Sequence, residues 1–99
     1  MSGPAGDVPG SLIKRSLPIG NKRGLHARAA AKFVRTAGQF DAAIRVAFKG
    51  QEVSGLSIMG LMMLAAGIGS SIELICSGRQ AGEAMAALAA LVEGKFGEE

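Results

Sequence analysis

Apolar and polar positions along the chain switch repeatedly between a period of two and a helical period. Ile13, Leu17 and Ile19 fall at even spacings with Lys14 and Ser16 between them, which predicts a strand with one buried face. Pro18 predicts that part of this strand lies outside a central ladder. Ala30, Phe33, Val34 and Ala37 then recur at helical spacing, with Arg28, Lys32 and Arg35 on the other side and Gly38 as a stop. That amphipathic helix begins at or just after His26. Ile44, Val46 and Phe48 alternate with Arg45, Ala47 and Lys49, and after a Lys49-Gly50-Gln51 turn a short run around Val53 completes a hairpin.

Ser57 is placed to N-cap a short helix from Ile58 to about Ala65, which Gly67-Ile68-Gly69 breaks. Ile72, Leu74 and Cys76 alternate with Glu73 and Ile75 in a fourth strand. Ala81, Ala84, Met85, Leu88, Leu91 and Val92 share one face of a last helix, with Gly94 near its end. The order β-α-β-β-α-β-α, with one apolar face per element, predicts an α+β domain whose sheet is covered on a single side by helices.

Length and composition narrow this further. Ninety-nine residues, 48% hydrophobic and 19% charged, fit one small domain with a real core. We assign that domain to residues 11–99 and a flexible tail to residues 1–10, which have neither a basic start nor an apolar run and so do not read as a secretory signal. The longest apolar stretch, Ile58 to Ile68, falls short of the roughly 20 residues of a membrane span, so no membrane insertion is expected. A formal net charge of +3 and four phenylalanines as the sole aromatics argue against nucleic-acid binding. Cys76, the single cysteine, cannot form an internal disulfide and reads as a small buried hydrophobe, which suits a reducing cytoplasm. With His26 it makes at most two soft ligands, so neither a metal nor another cofactor is expected.

The chemistry gathers at His26, the only histidine. A helix start offers unpaired backbone N–H groups and partial positive charge to an oxyanion, here from Ala27, Arg28 and Ala29, and Arg28 adds a fixed cation. A neutral imidazole has one nitrogen lone pair free to attack phosphorus and forms a phosphoramidate reactive enough to pass its group on. A lone histidine at such a place is more often an ordinary surface side chain; Gly24, Arg28 and a second motif reverse that balance. Arg23, Arg28, Lys32 and Arg35 read as a solvated face or as a positive rim that steers an acidic partner. Ile58, Met59, Leu61, Met62, Met63 and Leu64 make the short helix apolar nearly all round, so it is either a core helix or a docking patch.

The run Asn21-Lys22-Arg23-Gly24-Leu25-His26-Ala27-Arg28-Ala29-Ala30-Ala31, followed by Ser57-Ile58-Met59-Gly60-Leu61-Met62-Met63-Leu64-Ala65, closely resembles the HPr family. These are the histidine-containing phosphocarrier proteins of the bacterial phosphoenolpyruvate-dependent phosphotransferase system. The similarity runs in order from about Leu12 to Val92. The resemblance implies an open-faced β-sandwich of four antiparallel strands and three helices. It implies that His26 carries phosphate on Nδ1 and that Arg28 responds to it. It also implies that Ile58, Met59 and Met62 point outward, with Arg23 and Lys32, toward partners, while Leu61 and Leu64 pack inward. Those partners are enzyme I and IIA proteins, and the expected carrier is a cytoplasmic monomer that is a stoichiometric relay and not an enzyme. Ser57 matches the serine modified in some bacteria by an HPr kinase/phosphorylase. Many family members have proline where this chain has Ala29, a variant resembling proteobacterial and nitrogen-branch relatives. A nitrogen-branch regulatory phosphoprotein without sugar transport is therefore the alternative.

Overall fold

A computed structural model describes residues 12–98; the tail expected over residues 1–10 lies outside them. The elements follow the order read from the sequence: β1 (Leu12–Pro18), α1 (Ala27–Ala37), β2 (Ala43–Phe48), β3 (Gln51–Ser54), α2 (Ile58–Met63), β4 (Ser71–Ser77) and α3 (Ala81–Glu93). A short 3-10 turn, Lys95–Gly97, ends the described chain and was not foreseen. The four strands form one antiparallel sheet in the order β1-β4-β2-β3. Pro18 closes an edge strand, opposite Ser71, where its missing N–H breaks no central ladder.

Alternation decides the layers. Leu17, Ile72, Leu74, Cys76, Ile44 and Val46 turn to the helix side and are buried, while Lys14, Ser16, Arg45 and Glu73 face out. Ile75 departs from this pattern: it is on the outer face, between Lys14 and Arg45 in the ladder, yet is buried. Phe33 and Ala30 of α1, Leu61 of α2 and Leu88 and Val92 of α3 complete the core, which therefore lies between one sheet face and the three helices. Burial pushes the Cys76 thiol pKa up, which keeps the sulfur protonated and inert.

Local chemistry sets the connections. Lys49 and Gly50 both take positive φ, so the hairpin turns in two residues and Gln51 already belongs to β3. Gly38 ends α1 while staying right-handed at φ −68, donating its N–H to the Val34 carbonyl. Ser57 caps α2 as expected, its Oγ accepting from Gly60 N–H at 2.9 Å. That helix stops at Met63, earlier than the reading to Ala65, because Ala65 adopts φ 56 and leaves the helical region.

Candidate functional site

The segment Asn21–Leu25 delivers His26 to the start of α1. Leu25 is buried and its N–H donates to the Ala66 carbonyl at 3.0 Å, which pins the loop beneath α2. Gly24 has φ 63, and a Cβ there would lie 2.4 Å from the same Ala66 oxygen. Only glycine satisfies both conditions at once. Asn21 closes the turn from its other end, with Nδ2 donating to the Gly24 carbonyl at 2.9 Å.

His26 is the N-cap of α1, with φ −77 and ψ 178, and its side chain makes no capping hydrogen bond. The first helical backbone bond runs from Ala30 N–H to the His26 carbonyl at 2.8 Å. The N–H groups of Ala27, Arg28 and Ala29 therefore start the helix without intrahelical acceptors, as the geometry of every α-helix requires. Ala27 and Arg28 are exposed, whereas the Ala29 methyl is fully buried. Among the described residues Arg28 forms no salt bridge. The result is an electropositive helix start beside an imidazole that keeps 13% of its side-chain surface exposed.

Two residues that sequence reasoning did not single out complete the site. Glu98, from the far end of the chain, brings Oε2 to 2.6 Å from His26 Nε2, and its Oε1 accepts from Asn21 Nδ2 at 3.0 Å. The Asn21 hydrogen bond, with smaller contributions from His26 and Lys32, holds the Glu98 carboxyl below the usual carboxylate range against the opposing effect of burial. Asn21 is fully buried, and its Oδ1 has no hydrogen-bond partner among the described residues. No periodicity or spacing signalled Glu98, because the contact spans 72 positions and depends on the turn after α3.

Lys32 was expected at a partner surface. In the structure it is half-buried, and its Nζ donates to the Phe96 carbonyl at 2.6 Å, so it tethers the C-terminal turn. Arg23 and Arg35 are exposed. On α2, Ile58, Met59 and Met62 point to solvent while Leu61 and Leu64 are buried, in the division expected. Leu56, Met63 and Ile68 are exposed as well. Among the described residues there is no cluster of three or more metal-ligating side chains, and no helix is long and apolar enough to cross a membrane.

Fold and site together define a small open-faced sandwich that places its histidine at the N-cap of a helix. The family model described as the phosphotransferase-system HPr component phosphorylation site matches residues 13–94. The phosphocarrier protein HPr of Neisseria meningitidis serogroup A is 52% identical over 88% of this chain and 98% of its own length. The phosphocarrier protein NPr of Shewanella violacea is 43% identical over 87% of this chain and 94% of its own. Among solved structures, HPr-C-His from Thermoanaerobacter tengcongensis superposes with a TM-score of 0.84 at 44% identity, covering 88% of this chain and 98% of that one. The chain belongs to the HPr family of the phosphotransferase system.

Proposed function

We propose that this protein is a phosphocarrier whose His26 takes a phosphoryl group from phosphorylated enzyme I on Nδ1 and gives it to a IIA protein. The observation that carries the reading is the placement of His26 as the cap of α1, next to three backbone N–H groups with no helical acceptor and to Arg28. Phosphoryl transfer depends mainly on positioning and on charge stabilisation. A preformed helix start supplies both without a metal or nucleotide. The chain itself is a stoichiometric substrate of its partners and not an enzyme. It acts as a monomer in the cytoplasm, where Cys76 stays reduced.

Docking uses the apolar residues Ile58, Met59 and Met62 inside a basic rim that includes Arg23 and Arg28. The flexible thioethers suit a surface that meets several partners, and the positive charge speeds encounter. Lys32 contributes to this rim only indirectly, through the turn it holds. Ser57 is the regulatory position: an added phosphate at this helix cap places charge beside the apolar patch and weakens docking. A nitrogen-branch role is the second reading, favoured by Ala29 and by the likeness to an NPr, though the HPr relative is the more similar, at 52% against 43% identity.

Incubation with enzyme I and phosphoenolpyruvate tests the proposal. An acid-labile, alkali-stable adduct is expected on the wild-type chain and absent from His26→Ala. Absence of such an adduct from the wild type refutes the carrier reading. Transfer onward to a sugar-type or a nitrogen-type IIA protein separates the two branches.

A further inference from the structure

The last described residues fold back over the histidine and are anchored there twice. Phe96 is fully buried in the core, and its carbonyl accepts the Lys32 ammonium at 2.6 Å. Lys95, Phe96 and Gly97 all hold positive φ, at 58, 56 and 75, a tight reversal that carries the chain from α3 back toward β1 and α1. Such a run of left-handed residues is costly and persists only where its surroundings hold it. Its consequence is to place Glu98 between Asn21 and His26.

An ionised carboxylate can only accept hydrogen bonds. The 2.6 Å contact between Glu98 Oε2 and His26 Nε2 therefore requires a ring proton on Nε2, and in the neutral ring this leaves the lone pair on Nδ1. We infer that Glu98, itself fixed by Asn21, is the positioning residue for His26: it holds the ring in the Nε2–H tautomer and in one orientation, and faces the charge that develops on phosphorylation. This inference rests on the phosphocarrier role of His26.

The bookkeeping of the step is complete without a proton transfer. The Nδ1 lone pair forms the new N–P bond while the donor's bond to phosphorus breaks, and that bond's electron pair returns to the donor atom. The transferred PO3 group brings one negative charge. The His26 ring keeps its Nε2 proton and becomes positive, opposite the Glu98 carboxylate, and the return transfer reverses each change. A carboxylate that orients an imidazole and stabilises its cationic form is a recurring device of histidine chemistry.

The test uses the full chain, labelled with 15N at the imidazole, in wild-type, Glu98→Ala and Glu98→Gln forms. In the neutral wild-type ring, Nε2 is expected to carry the proton, with a hydrogen-bonded Hε2 that exchanges slowly with water. Glu98→Ala should lose that protected Hε2 signal, and its rate of His26 phosphorylation should fall by at least about tenfold, the scale of one hydrogen bond to a charged group. Glu98→Gln, whose amide oxygen still accepts from Nε2–H, should recover the Hε2 signal and part of the rate. A wild-type proton on Nδ1, equal Hε2 protection in wild type and Glu98→Ala, or an unchanged Glu98→Ala rate each overturns the inference. The spectra come from the unphosphorylated chain alone, so they judge Glu98 even if no donor loads His26.

Discussion

Gly24→Ala is the substitution that most directly probes how the loop presents the histidine. The new methyl meets two separate penalties. At φ 63 an L-residue enters the left-handed region, which costs about 1–2 kcal/mol. The Cβ also lies 2.4 Å from the Ala66 oxygen and 2.8 Å from Gly67 Cα, both backbone atoms that cannot swing aside as a side chain can. Relieving that overlap requires a main-chain shift of the kind that costs about 1–3 kcal/mol in a packed site, and it stretches the Leu25 N–H bond to Ala66. We expect a total loss of about 2–5 kcal/mol. Against the roughly 5–15 kcal/mol that hold a domain together, much of the margin disappears.

Gly50→Ala is the matched control, because Gly50 has φ 82 but nothing within 4 Å of the methyl that alanine would add. It carries the first penalty alone, about 1–2 kcal/mol. Urea denaturation of both variants measures the difference, expected as a lower midpoint with an unchanged slope. If Gly24→Ala is no less stable than Gly50→Ala, the close approach to Ala66 is not what demands glycine in this loop. At temperatures where Gly24→Ala is still folded, His26 phosphorylation should be slower than in wild type, since the displaced loop ends on the histidine.

Two further outcomes are expected. The folded-state pKa of Glu98 is lowered, chiefly by the Asn21 hydrogen bond, so its hydrogen bonds add stability above the ordinary carboxylate range, and this contribution is lost as pH falls through the lowered value. Wild type should therefore exceed Glu98→Gln in urea midpoint near neutral pH, and the two curves should converge in acid; a gap that persists at the lowest pH contradicts the assignment. Met59→Glu and Ser57→Asp each put a negative charge in or beside the apolar patch. Both should raise the KM for phosphorylated enzyme I several-fold, and Met59→Glu, at a position 68% exposed, should leave the melting temperature nearly unchanged. Unaltered steady-state kinetics in both variants would remove the patch from the docking surface.

The elements were legible because each has a local signature. Even spacing marks Ile72, Leu74 and Cys76 as one strand face, and the Ser57 hydroxyl announces α2 three residues before the N–H it caps. The end of α2 was misplaced by about two residues, since nothing local reveals that Ala65 turns left-handed. Lys32 is the instructive case within the site. Helical periodicity places it correctly on the polar side of α1, yet a long flexible cation can serve solvent, a partner or a carbonyl equally well. The carbonyl it meets belongs to Phe96, 64 positions away. Phe96 itself is a fully buried core residue outside every periodic run.

The order of strands and helices, their buried faces, the caps and the histidine at a helix start were set within short windows of the chain, where side-chain spacing and backbone preference act directly. The tertiary structure alone decided that Glu98 meets both Asn21 and His26 and that Lys32 meets the Phe96 carbonyl. Contacts between residues so far apart in sequence exist only once the core has brought the two ends of the chain together, and no local preference encodes them.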